Sequence, residues 1–196
     1  MDAEWAKTLI SVVTGSILTL AGATLLDRKR RILRYRALLI TIQKEIIRNR
    51  DRIMKEKESL PSEIKAKFET GDFLALTEQE IRLLAWSFPK PYEVQAWSAF
   101  VSSGLVSLLP NNLSDCLTKL YDGLFSANFL GNLSASFFQI FAGPTRLDME
   151  TQKNMDLFLR TGARMSAIPY LEKCDACLEL IEEELRRRKW WKPSRC

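Results

Sequence analysis

Hydrophobic positions open the chain as a solid block and then break into a periodic pattern. From Thr8 to Leu26 (TLISVVTGSILTLAGATLL) nineteen residues pass without a charge. As a helix this block is about 29 Å long, close to the roughly 30 Å hydrocarbon core of a bilayer, so it is long enough to span one. Beyond it Ile32, Tyr35, Leu39, Ile42, Ile46 and Ile53 recur mainly at steps of three and four, and no Gly or Pro interrupts the chain from Leu25 to Leu60. The pattern predicts a single helix from about Trp5 to Ser59, about 80 Å long. Its far half must be sheathed by other elements or by neighbouring subunits. Pro61 ends it.

The middle of the chain predicts shorter helices broken by turn chemistry. Thr77 and Glu80 form a capping box ahead of a helix with Ile81, Leu84, Ala85 and Phe88 on its apolar face. Pro89-Lys90-Pro91 forces a break. A helix restarts over Tyr92 to Ser103, carrying Trp97 and Val101, and stops at Gly104. After a turn at Pro110-Asn111-Asn112, Leu117, Leu120, Tyr121, Leu124 and Phe125 predict a helix central to the core. The cluster Phe129 to Phe141, with Phe137, Phe138 and Ile140, is about 13 residues long and is interrupted by Asn128, Asn132, Ser134, Ser136 and Gln139. That is short of a span, so core packing is expected, with a lipid-touching re-entrant piece as the alternative. A last helix from about Met149 to Trp190, kinked at Pro169, carries one stripe of Leu171, Cys174, Leu178, Ile181 and Leu185. No strand is needed. The expected fold is all-α: a transmembrane segment over 1–27 continuing into a cytoplasmic helical bundle over 28–196.

Charge decides the orientation of such a span. The net balance, 29 Lys plus Arg against 24 Asp plus Glu, is mild, but its placement is not. Arg28, Lys29, Arg30, Arg31, Arg34 and Arg36 follow the apolar block at once, whereas the leading MDAEWAK carries Asp2 and Glu4 against Lys7. By the positive-inside rule the N-terminus lies outside and the remainder is cytoplasmic, giving a single-pass protein with Trp5 as an interfacial anchor. A cleavable signal peptide and a buried core helix are the competing readings. Ala21-Gly22-Ala23 fits a cleavage pattern, but no basic region leads the block.

Within the block the small residues gather on one side. Thr8, Ser11, Gly15, Thr19, Gly22 and Ala23 fall within about 60° of one line, while Leu9, Ile10, Val13, Ile17 and Leu20 take the other. Ser11, Gly15, Thr19 and Ala23 form a small-xxx-small ridge, which lets another helix approach closely and lets hydroxyls bond across the contact. A homo-oligomer is expected. A pore lined by this face is one of several oligomeric outcomes, and a solitary anchor with no such contact is the other reading.

Candidate chemistry narrows the picture by subtraction. Histidine is absent, which removes the commonest general base and metal ligand together with Ser-His and Cys-His pairs. Cys174-Asp175-Ala176-Cys177 is formally a CxxC, but only Cys116 and Cys196 remain to complete a metal site. The pair is expected to be core thiols, reduced in the cytoplasm. Glu182-Glu183-Glu184 is expected on a solvated face, and no phosphate-binding loop or catalytic spacing is present. Neither a cofactor nor a small-molecule substrate is inferred.

A second basic cluster, Arg186, Arg187 and Arg188 through Arg195, is interleaved with Trp190 and Trp191. Cations with indoles suit either a membrane surface, with the indoles at the headgroups, or RNA, with the indoles stacked on bases. If the last helix packs antiparallel to the first, Arg186 to Lys192 arrives level with Arg28 to Arg36.

The layout of span, basic junction, Tyr35-Arg36-Ala37-Leu38-Leu39 through Glu45-Ile46-Ile47-Arg48-Asn49, then Trp97, Ser103-Gly104-Leu105, Leu108-Leu109-Pro110, Leu120-Tyr121 and Asn128 resembles small membrane-anchored helical proteins of microbial antiviral defence. Among these is a CRISPR-linked accessory protein that oligomerises into a membrane pore. Helical ribonucleases of related layout use an Arg followed by a His, so the resemblance transfers no catalytic residue to this chain. It implies an oligomeric membrane effector or pore-forming protein that is not an enzyme. The alternative is a membrane-tethered scaffold that docks a protein or RNA partner.

Overall fold

A computed structural model describes residues 3–70, 77, 80, 91–141 and 167–187, with side chains described for all of these but 3–10, 68–69, 130–131 and 133–141. The described residues are helical or connecting, with no strand among them. The helices whose bounds fall among the described residues are α1 (Ala3–Ser59), α2 (Ser62–Thr70), α3 (Gln95–Ser102), α4 (Asn111–Phe141) and α5 (Leu171–Arg187). The expected helix over 81–88, the Met149 portion of the last helix and the side chains of Phe137, Phe138, Ile140 and Phe141 lie outside the described residues.

The periodic half of α1 forms the spine of the core. Tyr35, Leu39, Ile42, Ile46 and Ile53 are fully buried, and Asn49 completes their four-three rhythm as a buried polar member. Two helices run antiparallel to this stripe. On α3, Phe100 meets the Tyr35 ring at 5.7 Å while Ala96 lies beside Glu45. On α5, the Glu184 carboxylate accepts from the Tyr35 hydroxyl at 3.1 Å while Asp175 pairs with Arg50 at 2.5 Å. α4 runs parallel to α1, since Tyr121 reaches Glu45 and Asn128 reaches Tyr92 further along. It presents Leu113, Leu117, Leu120, Tyr121 and Leu124 to the core.

Two glycines make local geometry possible. Gly104 takes φ 70°, a left-handed value that suits a residue without a Cβ, and turns the chain from α3 into a 3-10 turn at Leu105–Leu108. Gly123 lets the Tyr170 ring lie on α4, where a Cβ would overlap it.

Several expectations need correction. α3 begins at Gln95 because Pro91 to Val94 are non-helical, their backbone groups being taken by side chains from other helices. Val101 on α3 and Phe125 and Phe129 on α4 are exposed, so these three apolar residues lie outside the core. Pro169 sits in a 3-10 turn at Ile168–Tyr170 that precedes α5, so it starts that helix and does not kink it. The buried stripe of α5 is Cys174, Cys177, Ile181 and Glu184, rotated from the expected one. Glu184 is therefore in the core, while Glu182 and Glu183 face solvent. Finally, Cys177 is joined to Cys116 by a disulfide that staples α5 to α4, with Cα atoms 5.8 Å apart. Reduced thiols were the expectation there. The pairing partner lies 61 residues away, and no spacing rule indicates it.

Candidate functional site

Before Asp27, α1 stands clear of the bundle formed by the described residues. Every residue from Ser11 to Leu26 is exposed except Gly22, which is half-exposed, and Val12, Leu18 and Leu20 stand at 64%, 68% and 69%. Among the described residues no helix is long and apolar enough to cross a membrane. The uncharged block Thr8–Leu26 lies wholly within α1 and is diluted by Ser, Thr and Gly. The side chains of Thr8, Leu9, Ile10 and Trp5, the last expected as an interfacial anchor, lie outside the described ones.

Those hydroxyls are folded back on their own helix. Ser16 donates to the Val12 carbonyl at 2.9 Å, Thr19 to Gly15 at 2.8 Å and Thr24 to Ala21 at 2.9 Å. Such back-bonding satisfies the hydroxyl within the helix, which lowers its cost in an apolar surrounding. It also means that Thr19 has its proton engaged and would meet a neighbouring helix as an acceptor. Ser11, Gly15, Thr19, Gly22 and Ala23 remain uncovered as a ridge, and no side chain approaches within 4 Å of a Cβ built at Gly15 or Gly22.

The basic collar follows. Arg28, Lys29, Arg30, Arg31 and Arg34 are exposed, and Arg36 is half-buried. Arg30, Arg31 and Arg34 turn with Asp27 towards Ser103 and Leu105, and these six residues line an open groove of about 400 Å³. Neither Ser103 nor Leu105 stands out in the sequence as a partner of the basic cluster. Gly104, read there only as a helix stop, was the signal that a corner would form at this height.

The antiparallel course of α5 carries Arg186 and Arg187 to the level of the collar, since Glu184 already touches Tyr35. Both arginines are exposed and pair one turn back, Arg186 with Glu182 at 3.3 Å and Arg187 with Glu183 at 2.6 Å. Arg188, Trp190 and Trp191 lie outside the described residues.

Below the collar a buried polar clasp fixes the start of α3. Val94, its N-cap residue, offers no side-chain cap. The missing acceptor comes from α1: Glu45 accepts the Ala96 N–H at 2.8 Å and the Trp97 N–H at 3.4 Å, and also the Tyr121 hydroxyl at 2.7 Å. A carboxylate there satisfies orphan N–H groups and complements the positive end of the helix dipole. Asn49 exchanges two bonds with the Glu93 backbone, at 2.7 and 2.9 Å, and Asn128 two with Tyr92, at 2.6 and 2.9 Å. Arg48 forks onto the Glu93 carboxylate, which raises its guanidinium pKa further. Glu56 accepts from Tyr92 and pairs with Arg52 at 3.2 Å, and its burial raises its own pKa. Trp97 stacks on Tyr121 at 5.2 Å. Every group in the clasp is spoken for by another, which is the arrangement of a structural lock.

Cys174 is buried, and burial pushes its thiol up to about 12. Such a thiol is protonated and inert at neutral pH. Among the described residues no group of three His, Cys, Asp or Glu could hold a metal ion.

The site thus defines a helical bundle topped by an uncovered apolar helix with a basic collar. No family model matches the chain, and no curated protein or solved structure matches it either.

Proposed function

We propose that this protein is a membrane-anchored oligomeric effector of the pore-forming or membrane-perturbing kind, in which α1 supplies both the anchor and the contact between copies. The observation that carries this reading is the contrast along one helix, whose Tyr35–Ile53 stretch buries one face in the core while Ser11–Leu26 is exposed at every position but the half-exposed Gly22. A contiguous apolar surface of that extent marks a membrane or protein contact. With the three residues before Ser11 the uncharged block reaches nineteen, and the internally bonded hydroxyls ease its burial in lipid. The collar supports a single-pass topology with the bundle on the cytoplasmic side. Antiviral defence is the setting that the resemblance favours.

Expression of the full chain should depolarise the cell membrane, and the double variant Gly15→Leu, Gly22→Leu should not. Equal depolarisation by a chain lacking residues 1–26 would sink the proposal. A second reading, a tethered scaffold for a protein or RNA partner, draws on Phe125 and Phe129, exposed one turn apart on α4. It takes precedence if the full chain sits in the membrane without changing its potential.

A further inference from the structure

The face of α1 that carries the core continues upward into charge. Asp27, Arg30, Arg31 and Arg34 are spaced i, i+3, i+4, i+7, so they share one side of the helix. They look onto the corner at Gly104, where Ser103 and the buried Leu105 close the other wall of the 400 Å³ groove. None of Arg30, Arg31 and Arg34 makes an ion pair among the described residues, so the groove holds three uncompensated cations against the single carboxylate of Asp27. Like charges gathered on one face repel unless an anion joins them. Guanidinium forks match phosphate and carboxylate oxygens two at a time, and a phosphate ester, with up to two negative charges, balances the excess of three arginines over one carboxylate where a carboxylate does not. A volume of this order fits a small organic phosphate. The rim carboxylate of Asp27 adds an acceptor for hydroxyl groups.

We propose that this groove binds one polyol phosphate, held through its phosphate by Arg30, Arg31 and Arg34 and through a hydroxyl by Asp27. Its depth agrees with a lipid source, an agreement that rests on the membrane reading of α1. Arg30 to Arg34 lie four to eight residues past Leu26, about 6–12 Å along the helix, in the headgroup layer that begins where hydrocarbon ends. A glycerol phosphate headgroup entering from the side, or a free ester of the same chemistry, presents the same groups.

The test is native mass spectrometry of the full chain in a neutral detergent, titrated with phosphatidylglycerol, phosphatidylcholine and glycerol 3-phosphate. One phosphatidylglycerol should be retained per chain at a concentration at least tenfold below that needed for phosphatidylcholine. Arg30→Gln with Arg34→Gln should weaken this at least tenfold. Lys29→Gln with Arg36→Gln, which removes the same charge from the same helix outside the groove, should weaken it less than threefold. Displacement by glycerol 3-phosphate identifies a site open to the soluble ester, and retention against it identifies a lipid-headgroup site. Equal weakening by both variant pairs, or no preference for phosphatidylglycerol, overturns the groove and leaves only diffuse attraction. Flotation with phosphatidylcholine vesicles separates the two proposals. A chain that fails to float refutes the membrane anchor, while its binding of glycerol 3-phosphate still decides the groove.

Discussion

Glu45 serves three donors from two other elements, and its removal shows what a single buried carboxylate holds in place. Glu45→Ala would leave the Ala96 and Trp97 N–H groups and the Tyr121 hydroxyl without their acceptor. Each buried orphan costs about 1–3 kcal/mol, so a loss of about 3 kcal/mol or more in urea unfolding is expected, with Glu45→Gln intermediate because it keeps one acceptor oxygen. Glu80 gives the clearest acid response. Lys67 at 2.7 Å, with the Thr77 backbone and hydroxyl, lowers its pKa to about 2 from 4.5. A carboxylate held low contributes stability that is complete above about pH 4.5 and is lost as pH falls through about 2. Glu56 acts with the opposite sign, because burial raises its pKa and its charged form becomes unfavourable as pH rises. Unfolding free energy measured from pH 5 to 2 should therefore fall less steeply in Glu80→Gln than in the parent chain.

At the scale of elements, the small-residue ridge of α1 allows close approach only while it stays small. Gly15→Leu with Gly22→Leu should reduce the oligomer mass measured by light scattering in detergent, and an unchanged mass would remove the ridge from the assembly. Helices were the most legible level of this chain, and the reasons are local. The unbroken run from Trp5 to Ser59, the Pro61 stop, the Thr77–Glu80 box and the Gly104 corner each depend on residues within a few positions of one another. What escaped was decided at a distance. Glu45 and Asn49 look like solvent positions until a segment about 50 residues later supplies their partners. Glu184 belongs to a run of three glutamates, and only Tyr35, 149 residues earlier, distinguishes it from its neighbours. The basic residues of the groove were visible as a cluster, but their convergence on Ser103 and Leu105 required the packing of α3 on α1.

At the scale of the molecule, two features oppose each other over the compartment of the bundle. The collar favours the cytoplasm, whereas the Cys116–Cys177 bond persists best in an oxidising setting. The orientation proposed above implies thiols in the cell and a bond that closes on purification in air. Alkylation of intact cells before lysis should accordingly trap Cys116 as a free thiol, and reductant should lower the stability of the purified protein by about 2–4 kcal/mol. A bond already closed in the cell would place the bundle outside and reverse the topology. One further consequence follows from the continuity of α1, which runs from Ala3 to Ser59 as one α-helix, with no Gly or Pro after Gly22. Bundle and apolar segment are thus two ends of one shaft, and no hinge separates them. Any ligand that turns the bundle a few degrees about this axis turns the Gly15 ridge with it. A single residue inserted between Leu26 and Asp27 would swing that ridge about 100° out of phase, while seven would return it to within about 20°. Angular phase, more than contact or charge, is the variable through which the two ends of this chain can sense each other.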